Sequence, residues 1–314
     1  MWYKGLPGAG PGANRGRENE EDWRERMPEN YCNVSVLGWP SGTTREGAAA
    51  ILVEAIGLDP FIANQRAAKP PPMVVARVIE PVARSIMQTL REKRTPAFVL
   101  RDADVERLPP PVLAKRLMAA EGAPRPMYMV EAWRGDGVAV MMDDVFCIVR
   151  GRIGKASVGP VQIERDTAAM PTVAGHVYID LDVTVTQKRS SRLSDMIDLW
   201  MFDKSHAEER EGKMVYGIKR VRINCDKFNW DVLGKERGMS DNENADKLAL
   251  RLAGQAPGAA VELGFTQFRE SSTPAIGSGW SATASGGARL DQSPAFDFYS
   301  AWCGILNWKR LGQK

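Results

Sequence analysis

The side chains in this sequence that could carry acid–base chemistry are few and lie far apart. Histidine is a common proton-transfer group, and the chain has two, His176 and His206. Asp180 and Asp182 alternate with apolar residues, so they share one face of a predicted strand and could bind a metal ion or share a proton. The same alternation is typical of a solvent-exposed strand face. We therefore predict no catalytic residue, no metal site and no cofactor. A hydrolase or transferase site between two domains, using Asp180, Asp182 and His176, is the enzyme alternative.

Cysteine and arginine give one further candidate site. The four cysteines are far apart and form no CxxC pair, which predicts buried free thiols rather than a zinc or redox motif. In a predicted strand, alternation places Val221, Ile223 and Cys225 on one face. Arg220 and Arg222 lie on the other face, where they are a candidate anion-binding row. A solvated strand face is the alternative for this arginine pair.

Composition narrows the classes of function. The chain has 314 residues, 44% hydrophobic and 26% charged, which is typical of a globular protein with two cores. A net charge of +3 is too small to predict a specific nucleic-acid partner. The sequence has no signal-peptide pattern and no apolar run long enough to span a bilayer, so we expect a cytoplasmic protein. Peripheral binding to anionic lipids through Arg189, Arg192, Lys219 and Arg220 is an alternative.

The elements predicted for residues 31–105 form a small α/β module. Thr43 or Thr44 can cap a first helix that ends at Gly57, and Asp59 before a proline can begin the second. A proline-rich break, an apolar strand, a longer helix and a further strand follow. The predicted order is βααβαβ.

Three short stretches carry a resemblance to a known domain. They are Ile56-Gly57-Leu58, the strand Pro72–Val78, and the helix end Leu90–Lys93 before Phe98. With these stretches, residues 33–102 resemble the C-terminal domain of the bacterial ribosomal stalk protein. That domain recruits translation factors through a lysine-rich face of its first helix pair, whereas Ala48–Glu54 contains no lysine here. The resemblance therefore implies the fold and not factor recruitment.

The next part of the chain is predicted to be rich in β structure. Residues 106–126 are interpreted as a helical connector with a basic helix at 112–120, and residues 127–270 contain seven extended segments. A helix at 240–253, begun by a capping box at Ser240, closes this domain. We predict an antiparallel barrel or sandwich, similar to pleckstrin-homology-like barrels in element order alone. The seven segments are Tyr128–Trp133, Val138–Met142, Val145–Arg152, Val161–Glu164, Val177–Thr186, Met196–Phe202 and Tyr216–Cys225.

The two ends of the chain differ in composition. Residues 1–30 are rich in glycine, proline and charge and predict a disordered tail. Residues 271–292 predict a flexible linker, and residues 293–314 an aromatic amphipathic segment. Helical spacing aligns aromatic and aliphatic side chains in that segment, so it is a candidate partner-binding element; its alternative is docking onto its own β domain. The four candidate residues are Phe298, Trp302, Ile305 and Trp308.

These patterns together predict an α+β protein with no enzymatic activity that acts through protein or peptide contacts. The oligomeric state does not follow from the sequence. The C-terminal segment is the predicted contact element, and the lipid-binding adaptor and the interdomain enzyme are the alternatives.

Overall fold

The computed structural model describes residues 31–159, 162–172, 175–186, 189–210, 213–276, 279–283 and 287–311. For residues 162–172, 175–186, 206–210, 213–216 and 273–276 it describes the backbone alone. The chain contains both helices and strands, and its sheets are mainly antiparallel, which confirms the α+β class. The predicted tail at residues 1–30 lies outside the described residues.

The first unit has the predicted order βααβαβ, followed by one short helix. Its sheet has the order β2-β1-β3, and both pairings are antiparallel. The local signals act as predicted: the Thr44 hydroxyl accepts a hydrogen bond from the Gly47 amide at 3.1 Å, and Gly57 ends the first helix with φ of 75°. The elements are β1 (Tyr31–Val36), α1 (Arg45–Ile56), α2 (Pro60–Ala67), β2 (Met73–Ile79), α3 (Glu80–Glu92), β3 (Ala97–Arg101) and α4 (Asp102–Glu106).

The second unit is built on a nine-stranded, mainly antiparallel sheet. Its order is β13-β14-β7-β10-β11-β4-β5-β6, with β12 also beside β7, while β8 and β9 form a separate hairpin. The elements are β4 (Val112–Ala119), β5 (Met127–Ala132), β6 (Val138–Met141), β7 (Val145–Val158), β8 (Gln162–Thr172), β9 (Gly175–Thr186), β10 (Arg189–Arg210), β11 (Lys213–Asn224), α5 (Asp241–Gln255), β12 (Ala260–Glu262), α6 (Phe265–Ile276), β13 (Trp280–Ala282), β14 (Ala288–Asp291) and α7 (Ser293–Leu311).

The predicted strands and capping helix of this unit are present, but the barrel is not. Each of the seven predicted segments overlaps a strand from β5 to β11, and Val161, where one segment begins, lies outside the described residues. The Ser240 hydroxyl caps α5 by accepting from the Glu243 amide at 3.2 Å, as the capping-box prediction requires. The sheet stays open, with β13 and β6 at its ends, so the barrel alternative and the pleckstrin-homology-like closure were wrong.

The predicted helical connector is a strand of the large sheet. β4 pairs in parallel with β11, where Val112 faces Val221, and antiparallel with β5. Ala114 and Leu117 are buried in the core beneath α5. A short apolar run with basic residues is compatible with a helix or with a strand. Here the hydrogen bonds to the neighbouring strands stabilise the strand.

The predicted flexible linker at residues 271–292 is also structured where it is described. It contains the end of α6 and the strands β13 and β14, and β14 pairs with β7. Two serines give α6 its close contact with the first unit. The Ser272 hydroxyl accepts from the Val74 amide at 2.9 Å, and the Ser271 hydroxyl donates to the Pro72 carbonyl at 3.4 Å. A composition typical of linkers therefore serves a helix–sheet contact.

Helix α7 is central to the packing because it lies between the two sheets. On one side it packs on β7 and β10, where its side chains meet Phe146 and Trp200. On the other side it reaches the first unit, whose Val74 and Leu100 belong to the same core. Helix α5 covers the opposite face of the large sheet with Leu248 and Leu252. The C-terminal segment thus forms core within its own chain.

Close packing of α7 on the sheet predicts an effect at Gly304. A Cβ atom added there would lie 2.6 Å from the Trp200 ring, so we expect Gly304→Ala to lower the free energy of unfolding by about 1–3 kcal/mol. Gly254 in α5 is exposed with no atom near such a Cβ, and Gly254→Ala should instead raise stability by about 0.5–1 kcal/mol. Urea unfolding of both variants tests the contact, and equal stabilities would contradict it.

Candidate functional site

The acid–base candidates lie on the hairpin strand β9 and on β10. Asp180, Asp182 and His176 belong to β9 and His206 to β10, and their side chains are outside the described residues. The enzyme alternative needs a cleft between the two units. In the described structure aromatic side chains, among them Trp302, pack between the two units.

The predicted partner-binding residues do not form a free surface. Trp302 and Ile305 are 2% and 3% exposed, and Phe298 and Trp308 are half-buried. The Trp302 indole donates a hydrogen bond to the Ser35 hydroxyl at 2.9 Å, across the seam between the units. The partner-anchor prediction was therefore wrong for Trp302 and Ile305, because their apolar face is used by the chain's own two sheets.

The predicted arginine row has the expected geometry and an internal partner. Alternation holds, since Val221, Ile223 and Cys225 are buried on the α5 side. On the other side Arg222 is 7% exposed and donates to both carboxylate oxygens of Asp198, at 2.7 and 2.6 Å. Arg222 also pairs with Asp297 on α7. The anions that Arg222 binds are thus two carboxylates of the same chain.

The basic residues of the lipid-binding alternative are dispersed. Lys219 pairs with Asp203 at 2.8 Å, and Arg192 pairs with Asp226 at 3.0 Å. The Arg220 guanidinium lies 5.0 Å from the centre of the Trp200 ring, and its position next to Lys219 in a strand sends the two cations to opposite faces. Across the described ranges, no helix is both long and apolar enough to cross a membrane.

All four cysteines are free and buried, as predicted. Burial raises the pKa of Cys32, Cys147, Cys225 and Cys303, and nearby carboxylates raise it further, so the thiols stay protonated near neutral pH. A protonated thiol is a poor nucleophile. The described residues also contain no group of three or more metal-ligating side chains.

A groove of about 670 Å³ lies in the first unit, between α3 and β3. We refer to it as the α3–β3 groove. Its base consists of apolar or thiol side chains and its rim of long polar ones. The base residues are Cys32, Ala83, Met87 and Val99, and the rim residues are Glu80, Arg84, Gln88, Arg91, Glu92 and Arg101.

Helix periodicity explains why α3 presents this lining. Ala83, Ile86 and Leu90 recur at three- and four-residue spacing and are buried on the sheet. The neighbouring stripe of the helix carries Arg84 and Arg91, which border the groove. The amphipathic helix therefore sets a row of arginines beside an apolar base.

The opposite wall is an edge strand. β3 pairs with β1, and within the part of the chain that is described no strand pairs with its other side. An unpaired edge offers backbone donors and acceptors to a further strand. The groove therefore combines apolar surface with backbone groups, which is the pattern of sites that bind extended peptides.

The rim carries more positive than negative charge. Arg84 is held by Glu80 at 2.7 Å, and Arg101 by Asp104 at 3.1 Å, which raises the pKa of Arg101. Arg91 is exposed and forms no ion pair with any described residue. Exposed pairs of this kind are weak, so these arginines can exchange partners for an incoming carboxylate at little cost.

A smaller hollow of about 320 Å³ lies at the seam between the units. Three of its polar side chains bind one another: Asp102 accepts from Asn33 at 2.7 Å and from Arg77 at 2.6 Å. Phe298 forms its apolar wall. Because those polar groups are already paired, the hollow is a weaker candidate than the α3–β3 groove.

Comparison with protein-family models, curated proteins and solved structures gave no match for this chain. The resemblance to the ribosomal stalk domain accordingly stays a prediction. The sequence predicted only a longer helix at this place, and the groove beside the buried stripe of α3 was not predicted. Arg84, Met87 and Arg91 repeat at three- and four-residue spacing next to that stripe, and this repeat was the available signal.

Proposed function

We propose that the protein is a non-enzymatic, cytoplasmic interaction protein whose α3–β3 groove binds an extended, acidic segment of a protein partner. The observation that carries the proposal is the pairing of an apolar base with an arginine rim along an unpaired strand edge.

Each part of the groove accounts for one feature of that ligand. The free edge of β3 favours an extended backbone, since strand addition satisfies main-chain hydrogen bonds. Met87 and Val99 favour one large apolar side chain, and methionine adapts its shape to such a guest. Arg84, Arg91 and Arg101 favour carboxylates, with which a guanidinium can form two parallel hydrogen bonds. A site of this size and exposure is expected to bind with a Kd of about micromolar order.

Charge reversal at Arg91 should weaken such binding. Peptides selected from a displayed random library by the full chain are expected to be acidic with one large apolar residue. Arg91→Glu should weaken the best of them about tenfold, roughly 1.4 kcal/mol, because repulsion replaces attraction at the rim. Fluorescence anisotropy with a labelled selected peptide measures the change.

Arg94→Glu is the matched control, because Arg94 is an exposed arginine three residues further along the chain that does not line the groove. It should leave the affinity within about twofold. The proposal fails if the library yields no peptide sensitive to Arg91→Glu, or if the two variants lose affinity equally.

A further inference from the structure

The chain itself contains a segment with the chemistry that the α3–β3 groove favours. Between residues 18 and 29, six carboxylates stand against two arginines, which gives a net charge of −4. Two large apolar residues, Trp23 and Met27, lie among them. The carboxylates are Glu18, Glu20, Glu21, Asp22, Glu25 and Glu29.

The described chain begins next to the groove. Tyr31, its first residue, pairs with Ile79, which directly precedes α3. The following residue, Cys32, lines the base of the groove and pairs with Arg101 on its rim. Residues 18–29, which lie outside the described residues, are therefore joined to the structure at the Glu80 end of the groove.

The length of the segment is sufficient. Trp23 is eight residues before Tyr31, and eight extended residues span up to about 26 Å. The groove follows α3 from Glu80 to Glu92, a rise of about 18 Å at 1.5 Å per residue. The tether therefore allows Trp23 to reach any point along the groove.

We propose that residues 18–29 occupy the α3–β3 groove in the free protein and compete there with the partner. This inference rests on the proposed function of the groove. The groove offers Met87 to a large apolar side chain, and Arg84 and Arg91 to carboxylates. A short tether gives an effective concentration of about 1 mM, so a contact with a Kd of only about 100 µM in solution would fill roughly nine grooves in ten. A partner must then displace the segment, which lowers its apparent affinity about tenfold.

The test uses the full chain with a neutralised segment. The variant carries Glu20→Gln, Glu21→Gln, Asp22→Asn and Trp23→Ala, all outside the described structure, so the fold of residues 31–311 is left intact. The probe is a labelled peptide with the sequence of residues 15–30. We expect the probe to bind the neutralised variant about tenfold more tightly than the unaltered chain, measured by fluorescence anisotropy.

Two controls separate occupancy from a general change of charge. Trp2→Ala removes a tryptophan outside the acidic segment and should leave probe affinity unchanged. Adding Arg91→Glu to the neutralised variant should abolish the gain, because the gain comes from the groove and not from the net charge of the chain.

The outcomes distinguish this inference from the function on which it rests. Equal probe affinity for the unaltered and neutralised chains, or a gain that survives Arg91→Glu, overturns occupancy by the segment. If library-selected acidic peptides still bind in an Arg91-dependent manner, the proposed function stands alone. If neither the probe nor any selected peptide binds the neutralised chain, both proposals fail.

Discussion

Replacement of Trp302 by alanine is expected to lower the free energy of unfolding by about 3–5 kcal/mol, since it removes a large buried ring and leaves a cavity. The centre of the Trp302 ring lies 5.1 Å from the centre of the Phe268 ring and 6.2 Å from that of the Phe98 ring. Only 2% of Trp302 is exposed. Its indole also donates to Ser35, which is fully buried. The substitution leaves that hydroxyl short of one donor, and an unsatisfied buried polar group adds to the loss.

Urea unfolding followed by circular dichroism measures this effect, and Trp308→Ala is the matched control. Trp308 belongs to the same helix and the same core but is only half-buried, so we expect a loss of about 1–2 kcal/mol. A loss below 1 kcal/mol at Trp302 would contradict the packing of α7 between the two sheets. It would also restore the hypothesis that this face binds a partner.

The first unit could be predicted from sequence because its signals act over a few residues. The Thr44 cap, the left-handed Gly57 and the Asp59 cap each bind backbone groups at most four positions away. The alternation of residues in β11 likewise predicted that Arg220 and Arg222 lie on one face of the strand and Cys225 on the other. That prediction does not depend on what covers either face. Local chemistry of this kind decides the type of an element and which side chains share a face.

The errors concern contacts between distant parts of the chain. β4 is a strand because β11, about a hundred residues later, supplies its hydrogen bonds. The end of α6 is helical in a stretch with linker composition because Ser272 meets the Val74 amide, 198 positions away. The face of α7 had two interpretations, and only the sheets opposite it decide between them. Periodicity shows that a surface is apolar but does not identify what covers it.

The candidate site was missed for the same reason. The sequence shows the arginines of α3, but the groove exists because β3 is an edge strand and α3 leaves its outer part uncovered. Conversely, the sequence indicated that Arg222 belongs to an open anion-binding site. In the structure Arg222 binds the carboxylates of Asp198, 24 positions away, and Asp297, 75 positions away. The arginines that border the groove differ from Arg222 in being exposed. Exposure depends on the tertiary structure, so the sequence pattern alone does not show it.

Removal of the Asp198 carboxylate is expected to have an effect as large as the loss of Trp302. Asp198 is fully buried, binds Arg222 through both oxygens, and accepts from the Ser300 hydroxyl at 2.5 Å. Asp198→Ala leaves the Arg222 guanidinium buried, with Asp297 as its remaining carboxylate partner among the described residues. Breaking one side of a buried pair costs about 3–5 kcal/mol because the other charge remains without compensation.

The Arg222 guanidinium cannot escape this cost by losing its proton. Burial alone would lower the pKa of Arg222, but the hydrogen bonds and charges of Asp198 and Asp297 raise it well above the ordinary value. Even without Asp198, an arginine stays charged throughout the working range of pH. We therefore expect the loss in Asp198→Ala, measured by urea unfolding, to be nearly constant between about pH 6 and pH 9.

Two further variants isolate the buried charge as the cause. Asp297 is half-exposed and binds the same guanidinium, so Asp297→Ala should cost no more than about 1 kcal/mol. The double substitution Asp198→Leu with Arg222→Met removes both charges at similar volume and should recover most of the stability lost in Asp198→Ala. If the double variant were less stable than Asp198→Ala, the pair would stabilise the fold through its hydrogen bonds rather than merely avoid an uncompensated charge. Recovery would instead mean that the Arg222–Asp198 pair serves to avoid an uncompensated buried charge beneath α7, and that Arg222 is not an open anion-binding residue.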